Sequence, residues 1–409
     1  MRFKIRCILA AVVCCLLTAS CRKADSLSSM DSFAETYTKT TSADIVTDTE
    51  APQTSYTRIT ADGGISFYEI NCPSVPAEEA LTCIDLNYPE TINNQKVDVV
   101  DFIDEETLLV YLYSDTTAEA GTISLHGDQI GSYQKLLSLN QNQFPSIGNE
   151  RWLIITEADE AKRPLDNPPR RYRLFDMQQK ELYSPFWEQT ANEQGEPIGG
   201  GSYNPLLVIG STVYFDDYSI KDGKMTATMY GYDIESGRIT ETYPETQKPM
   251  LCQGQLIGFT RNDNGDFRRL ISVKDQGASF QMECSDNLML IETGTTGVYA
   301  LTNEGLDENQ LTISRLGNLT TGQTILTANT VLGDLSVSDR LVCWSRVTSN
   351  YAVAPALYDI HSQRLITFDR KNKTERVDFF GYTKGDTALM LVRNAEDYTI
   401  EEAILVHIK

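Results

Sequence analysis

The 409-residue chain holds only three histidines, His126, His361 and His407, and its 57 acids outnumber its 35 lysines and arginines. So few histidines leave little for histidine-based catalysis or a zinc site. A formal net charge of -22 opposes nucleic acid as a partner, because a phosphate backbone is bound chiefly through Lys and Arg. Beyond residue 20 no apolar run approaches the roughly 20 residues that span a bilayer, and no long amphipathic helix pattern is present. Gly-x-Ser-x-Gly, His-Glu-x-x-His and phosphate-loop motifs are absent. Residues 262–266 begin like a calcium loop but lack the closing bidentate Glu. Their Asn264-Gly265 pair, set between apolar runs, reads as a hairpin turn. No cofactor or metal is implied.

The chain opens with an address. Arg2, Lys4 and Arg6 precede the apolar run 7–17, too short to span a membrane and suited to a secretory signal. The run closes on Leu17-Thr18-Ala19-Ser20-Cys21, with small residues ahead of a thiol. This stretch resembles the lipobox of bacterial lipoproteins. The resemblance implies cleavage before Cys21, acylation of its thiol, and lipid attachment to the extracytoplasmic side of a bacterial membrane. Residues 1–20 are then a signal peptide. Residues 21–60, rich in Ser and Thr, cannot bury enough surface to offset the entropy of ordering; they read as a disordered tether. Residues 61–409 form the folded body, expected as a monomer.

The body alternates short runs of Val, Ile, Leu, Tyr and Thr with turn residues, an all-β pattern. One unit recurs about every 47 residues: a polar or small pair, then an apolar strand. The pairs are Glu105-Glu106, Asn149-Glu150, Gly210-Ser211, Gln253-Gly254, Ser285-Asp286, Ser338-Asp339 and Gly385-Asp386. A second unit, aromatic-Asp-turn-basic, occurs at Phe175-Asp176, Tyr232-Asp233 and Tyr358-Asp359, where the carboxylate can accept backbone N–H groups in the turn. Periods of 40–50 residues with four short strands mark propeller blades. The body resembles a β-propeller of the WD40-like or translocation-protein-B-like type, which implies seven four-stranded blades. The final strand, 403–408, then needs a partner, and residues 81–86 can supply it, closing the ring between N- and C-terminal segments.

In such propellers the loops joining second to third strands share a face with the blade-to-blade connections, and ligands usually bind there. Those loops are expected at 114–120, 158–170, 216–226, 261–267, 293–309, 346–355 and 393–399. Arg261, Arg346 and Arg393 fall at equivalent places, which allows an anionic ligand or pairing with local acids. Tyr218, Tyr299, Tyr351 and Tyr398 could stack on a sugar or anchor a protein. Glu157, Asp216 and Asp217 are the carboxylates a glycoside-cleaving enzyme would need. The glycine-bearing insertion 188–204 could act as a lid. Cys72 and Cys83 lie close enough in sequence to form a disulfide, whereas Cys252, Cys284 and Cys343 read as buried thiols. The leading expectation is a surface-tethered binding module for a protein or glycan, not an enzyme. An envelope scaffold and a carbohydrate-active enzyme are the alternatives.

Overall fold

The computed structural model describes residues 69–409 apart from 71, 159–167, 193–197, 199–205, 222, 263, 307–311, 329–331, 348–352, 368–376 and 395–399. The signal, Cys21 and tether readings, Tyr351, Tyr398 and most of the 188–204 insertion lie outside the described residues. Seven sheets follow one another along the chain, each with four main strands that pair in order outward from an inner strand. The fold is an all-β, seven-bladed propeller. Inner strands of successive blades touch at six of the seven junctions, blade 7 with blade 1 among them, and a shared apolar cluster joins blades 2 and 3. The one described helix, Ala77–Ala80, has a single turn, and no described helix is long and apolar enough to cross a membrane.

The second strands start at Thr107, Trp152, Thr212, Gln255, Gly297, Leu341 and Thr387. Six of the seven expected turn pairs sit just ahead of them. Blade 5 is the exception. Ser285 makes a turn, accepting the Asn287 N–H at 3.0 Å, but that turn leads into the inner strand Leu288–Gly294. The hairpin of this blade lies at Thr295 and Thr296. Thr293 is therefore on an inner strand, and the loop expected at 293–309 is mostly the second strand Gly297–Leu306.

The Asp of the second repeat does what its position implies. Asp176 Oδ1 accepts N–H groups of Gln178 and Gln179 at 2.9 and 3.0 Å, Asp233 that of Ser236 at 2.7 Å, and Asp359 that of His361 at 3.0 Å. All three turns join third to fourth strands. In two blades an Arg from the neighbouring first hairpin caps the same carboxylate: Arg151 on Asp176 at 2.6 Å and Arg340 on Asp359 at 3.4 Å.

Strand alternation sends one side of each blade toward the preceding neighbour and the other toward the next. The result is seven apolar clusters, one per junction. The cluster joining blade 7 to blade 1 has fourteen buried residues, among them Leu108, Val110, Leu389 and Leu405. That joining blades 3 and 4 has four, Tyr214, Met229, Leu256 and Val273.

The N-terminal segment laces three outer edges in sequence. Glu69–Ile70 adds antiparallel to blade 5, Ser74–Pro76 parallel to blade 6, and Leu81–Leu86 antiparallel to the C-terminal strand of blade 7. The last pairing runs from Leu81 opposite Ile408 to Leu86 opposite Ala403, as the ring-closure expectation requires. It separates the two cysteines read as a disulfide. Cys72 packs against the blade 5–6 cluster with its thiol toward the Ile325 carbonyl, while Cys83 is exposed on blade 7. Both are free, and Cys252, Cys284 and Cys343 are free and buried.

Leu81 is 2% exposed within the blade 6–7 cluster, so Leu81→Ala should cost about 2–5 kcal/mol. Its exposed neighbour Thr82 should tolerate Ala within about 0.5 kcal/mol. Equal losses in urea unfolding would mean that the closing strand contributes no core.

Candidate site on the channel wall

The second strand of blade 3, Thr212–Lys221, decides the fate of two expected catalytic acids. Asp216 and Asp217 are strand residues, 2% and 5% exposed, not loop residues. Being adjacent, they point to opposite neighbours. Asp216 Oδ2 accepts the backbone N–H of Lys248 in blade 4 at 2.6 Å. Asp217 Oδ2 accepts Trp187 Nε1 at 3.0 Å, the Thr190 N–H at 3.1 Å and the Thr190 hydroxyl at 2.9 Å, holding the start of the insertion that follows blade 2. They are blade-to-blade latches and cannot flank one scissile bond. Glu157 is likewise engaged, accepting Gln143 Nε2 at 2.6 Å with Arg171 and Arg173 at 4.0 and 3.9 Å.

Blades 3 and 4 meet through polar contacts beside a small apolar cluster. Tyr218 donates its hydroxyl to Gln247 Oε1 at 2.7 Å, and burial beside Asp216 pushes its phenol up. Glu241 receives hydroxyls from Tyr214 and Tyr243 at 3.0 and 2.6 Å, with the Lys274 ammonium at 3.4 Å. Gly258 permits close approach, since a Cβ there would fall 2.6 Å from Met229 Cε of blade 3. Tyr299, expected on a loop, is buried in the blade 5–6 cluster.

Lys248 lies at the centre of this junction. It sits on the inner strand of blade 4, Thr246–Cys252, where the register shifts between Gln247 and Met250. Its φ of +55° places a non-glycine residue in the left-handed region. Such strain persists where surrounding contacts over-determine it, and it collects at functional sites. Here the Asp216 latch and the bulge hold it, and bulges re-aim side chains. Other inner strands contribute Asp101 from blade 1, Glu292 from blade 5 and Lys384 from blade 7. Asp101 and Glu292 are open to water, and Lys248 and Lys384 partly so. Yet protein encloses them: loss of bulk solvation raises Asp101 to about 6 and raises Glu292. It lowers Lys248, which Glu292 and Asp216 partly restore. Asp101 and Glu292 also repel each other across the ring. The inner strands thus carry both charges toward the axis of the ring.

Of the three arginines expected to share a site, Arg261 alone has a described side chain. Arg261 is committed locally: Nε to Glu245 at 2.8 Å, Nη1 to the Gly265 carbonyl at 2.6 Å and Nη2 to the Met225 carbonyl of blade 3 at 2.7 Å. Arg346 and Arg393 end the second strands of blades 6 and 7, and their side chains lie outside the described residues. Sequence reading missed Lys248, Asp101 and Glu292. The one local signal was Lys248-Pro249 inside a strand, where Pro marks an edge or a bulge.

No protein-family model matches this chain, and no curated protein is similar to it. Among solved structures it is similar to the β-propeller domain of the Trilobed protease from Pyrococcus furiosus, with 10% identity, TM-score 0.48, and 75% of this chain and 94% of that one covered. It is also similar to an uncharacterized protein from Listeria monocytogenes, with 9% identity, TM-score 0.48, and coverages of 76% and 94%. A third is the WD40 domain of Toxoplasma gondii coronin, with 12% identity, TM-score 0.39, and coverages of 83% and 89%.

Burial raises Asp216 to about 6, so the folded protein holds this proton more tightly than the unfolded chain, where the value is near 3.8. The resulting stability is fully present below the unfolded value and is lost as pH rises through the folded one. Wild type should therefore gain stability relative to Asp216→Asn when urea unfolding is moved from above pH 6 to below it. A pH-independent difference would contradict a buried, proton-holding latch. Asp217→Ala, which strips four donors of their acceptor, should cost about 2–4 kcal/mol.

Proposed function

We propose that the chain is an exported, lipid-anchored binding module whose axial channel takes a small hydroxyl-rich ligand, a saccharide above all, at the wall formed by blades 3 to 5. The observation that supports this reading is Lys248, a residue with a strained backbone on the inner strand of blade 4 whose charged form Glu292 and Asp216 favour. Hydroxyl groups both donate and accept. Carboxylates take their protons while an ammonium donates to their oxygens, so a mixed-charge wall suits a polyol better than a simple anion. Half-buried Tyr218 adds an aromatic surface beside it. With Asp216, Asp217 and Glu157 each tied to other protein groups, the reading is of binding without turnover. Export and anchoring rest on the lipobox-like residues 17–21.

Two measurements test the two halves. A thermal-shift screen of the chain lacking residues 1–20 against neutral and acidic saccharides should find a ligand that adds about 2.7 kcal/mol at 100 times its dissociation constant. Lys248→Met should abolish that shift while leaving unliganded stability near wild type. No shift with any saccharide, or a shift untouched by the substitution, would contradict the channel site. Mass spectrometry of the protein from its native membrane should show an acylated N-terminal Cys21. An unmodified Cys21 would remove the anchor.

A further inference from the structure

Blade 2 carries a row of polar and charged side chains on the side that faces blade 1. Glu188, Arg171, Glu157 and Gln143 stand in register across its strands. Arg173 lies two residues along from Arg171, opposite Ile155, and so on the same side. Ile155 and Phe175 on that side belong to the apolar cluster shared with blade 1. The row is unevenly paired. Arg171 Nε donates to Glu188 Oε2 at 3.1 Å, and Gln143 Nε2 donates to Glu157 Oε2 at 2.6 Å. Arg173, by contrast, donates no hydrogen bond among the described residues. Its Nη1 stands 3.9 Å from Glu157 Oε2, beyond hydrogen-bond reach, and its Nε is buried without a partner.

The Arg173 side chain is 27% exposed, and of its unpaired nitrogens Nε alone is closed to solvent, so the terminal fork is within reach. Glu157 Oε1 accepts no hydrogen bond either, with Arg171 Nη1 at 4.0 Å. A carboxylate with an idle oxygen therefore stands beside a guanidinium with idle donors. Such an arrangement weakens the fold, because a half-enclosed charge without hydrogen bonds is not compensated for its lost hydration. Groups of this kind persist where function needs them. We propose that Arg173 and Glu157 form a subsite for a sugar acid, a carboxylate with hydroxyls beside it. The carboxylate takes the planar fork of Nη1 and Nη2, the pairing that guanidinium geometry favours. A neighbouring hydroxyl donates to Glu157 Oε1. Glu157 and Glu188 balance Arg171 and Arg173, so a bare anion gains little here, and a neutral sugar offers no second oxygen in the plane of the fork. The subsite lies on the blade 1 side of blade 2, apart from the Lys248 wall, and does not depend on that reading.

The test measures calorimetric binding of glucuronate and galacturonate to the chain lacking residues 1–20, with glucose, galactose and acetate as the matched neutral sugars and bare carboxylate. At least one uronate should bind more tightly than its neutral parent and than acetate. Arg173→Met should weaken that binding about 10–100-fold, the weight of a charged hydrogen-bonded pair. Lys248→Met should leave it unchanged, which separates this subsite from the channel wall. Urea unfolding distinguishes a ligand-holding role from a structural one. Arg151→Met, which removes hydrogen bonds to Asp176 at 3.0 and 2.6 Å, should lower the midpoint, whereas Arg173→Met should keep it. Overturning results are uronates that bind no better than their neutral parents, a uronate affinity unmoved by Arg173→Met, or an Arg173→Met midpoint that falls as far as that of Arg151→Met.

Discussion

The antiparallel pairing of Leu81–Leu86 with the C-terminal strand is the constraint on which the molecule depends. Each blade has two apolar faces and covers them only with its neighbours, so an open row of seven would leave one face of blade 1 and one of blade 7 in water. The junction between those two blades holds fourteen buried residues, more than any other. Closing the ring buries it, and a six-residue strand drawn from the opposite end of the chain completes the sheet that makes closure possible. Closure also leaves no inner edge free at the ends of the row, where unpaired strands invite aggregation. The contributions of Glu69–Ile70 and Ser74–Pro76 to blades 5 and 6 extend the same device to two further edges.

Within the closed ring the junctions are not alike. Blades 3 and 4 share the thinnest apolar cluster and a dense set of hydroxyls, carboxylates and amines in its place. An apolar interface is non-directional, whereas a hydrogen-bonded one fixes orientation. That difference explains how a residue with a strained backbone persists at the channel wall. Asp216 binds the Lys248 N–H, and the bulge absorbs the extra residue. The same junction braces the blade 3 hairpin, through Arg261 on the Met225 carbonyl.

Much of this architecture was legible in the sequence because it is local. Hairpin turns such as Gln253-Gly254 and Gly385-Asp386 announce themselves by turn chemistry, and the Asp of Tyr232-Asp233 accepts the Ser236 N–H three residues on. The closing strand was legible because Leu81–Leu86 is apolar and the last strand lacked a partner. The phase error at blade 5 arose because a blade-entry turn at Ser285 and a hairpin turn use the same residues, while the true hairpin turns on Thr295-Thr296 between the paired Gly294 and Gly297. The site was less accessible. Asp216 meets a backbone N–H 32 residues away, and Glu292 feels Asp101 across the ring; neither relation leaves a pattern in the chain. Alternation alone, however, would have shown that Asp216 and Asp217 face different blades. Glu69–Ile70 and Ser74–Pro76 are too short for any period to emerge.

Native-state hydrogen exchange across the closing blade tests this account most directly. If closure is the common constraint, the amides of Leu405 and Val406 exchange only by global unfolding, with the same free energy and denaturant dependence as those of Leu109 in blade 1 and Ile257 in blade 4. Exchange of the 81–86 and 403–408 amides through a separate, lower-energy opening, with the other blades still protected, would contradict it.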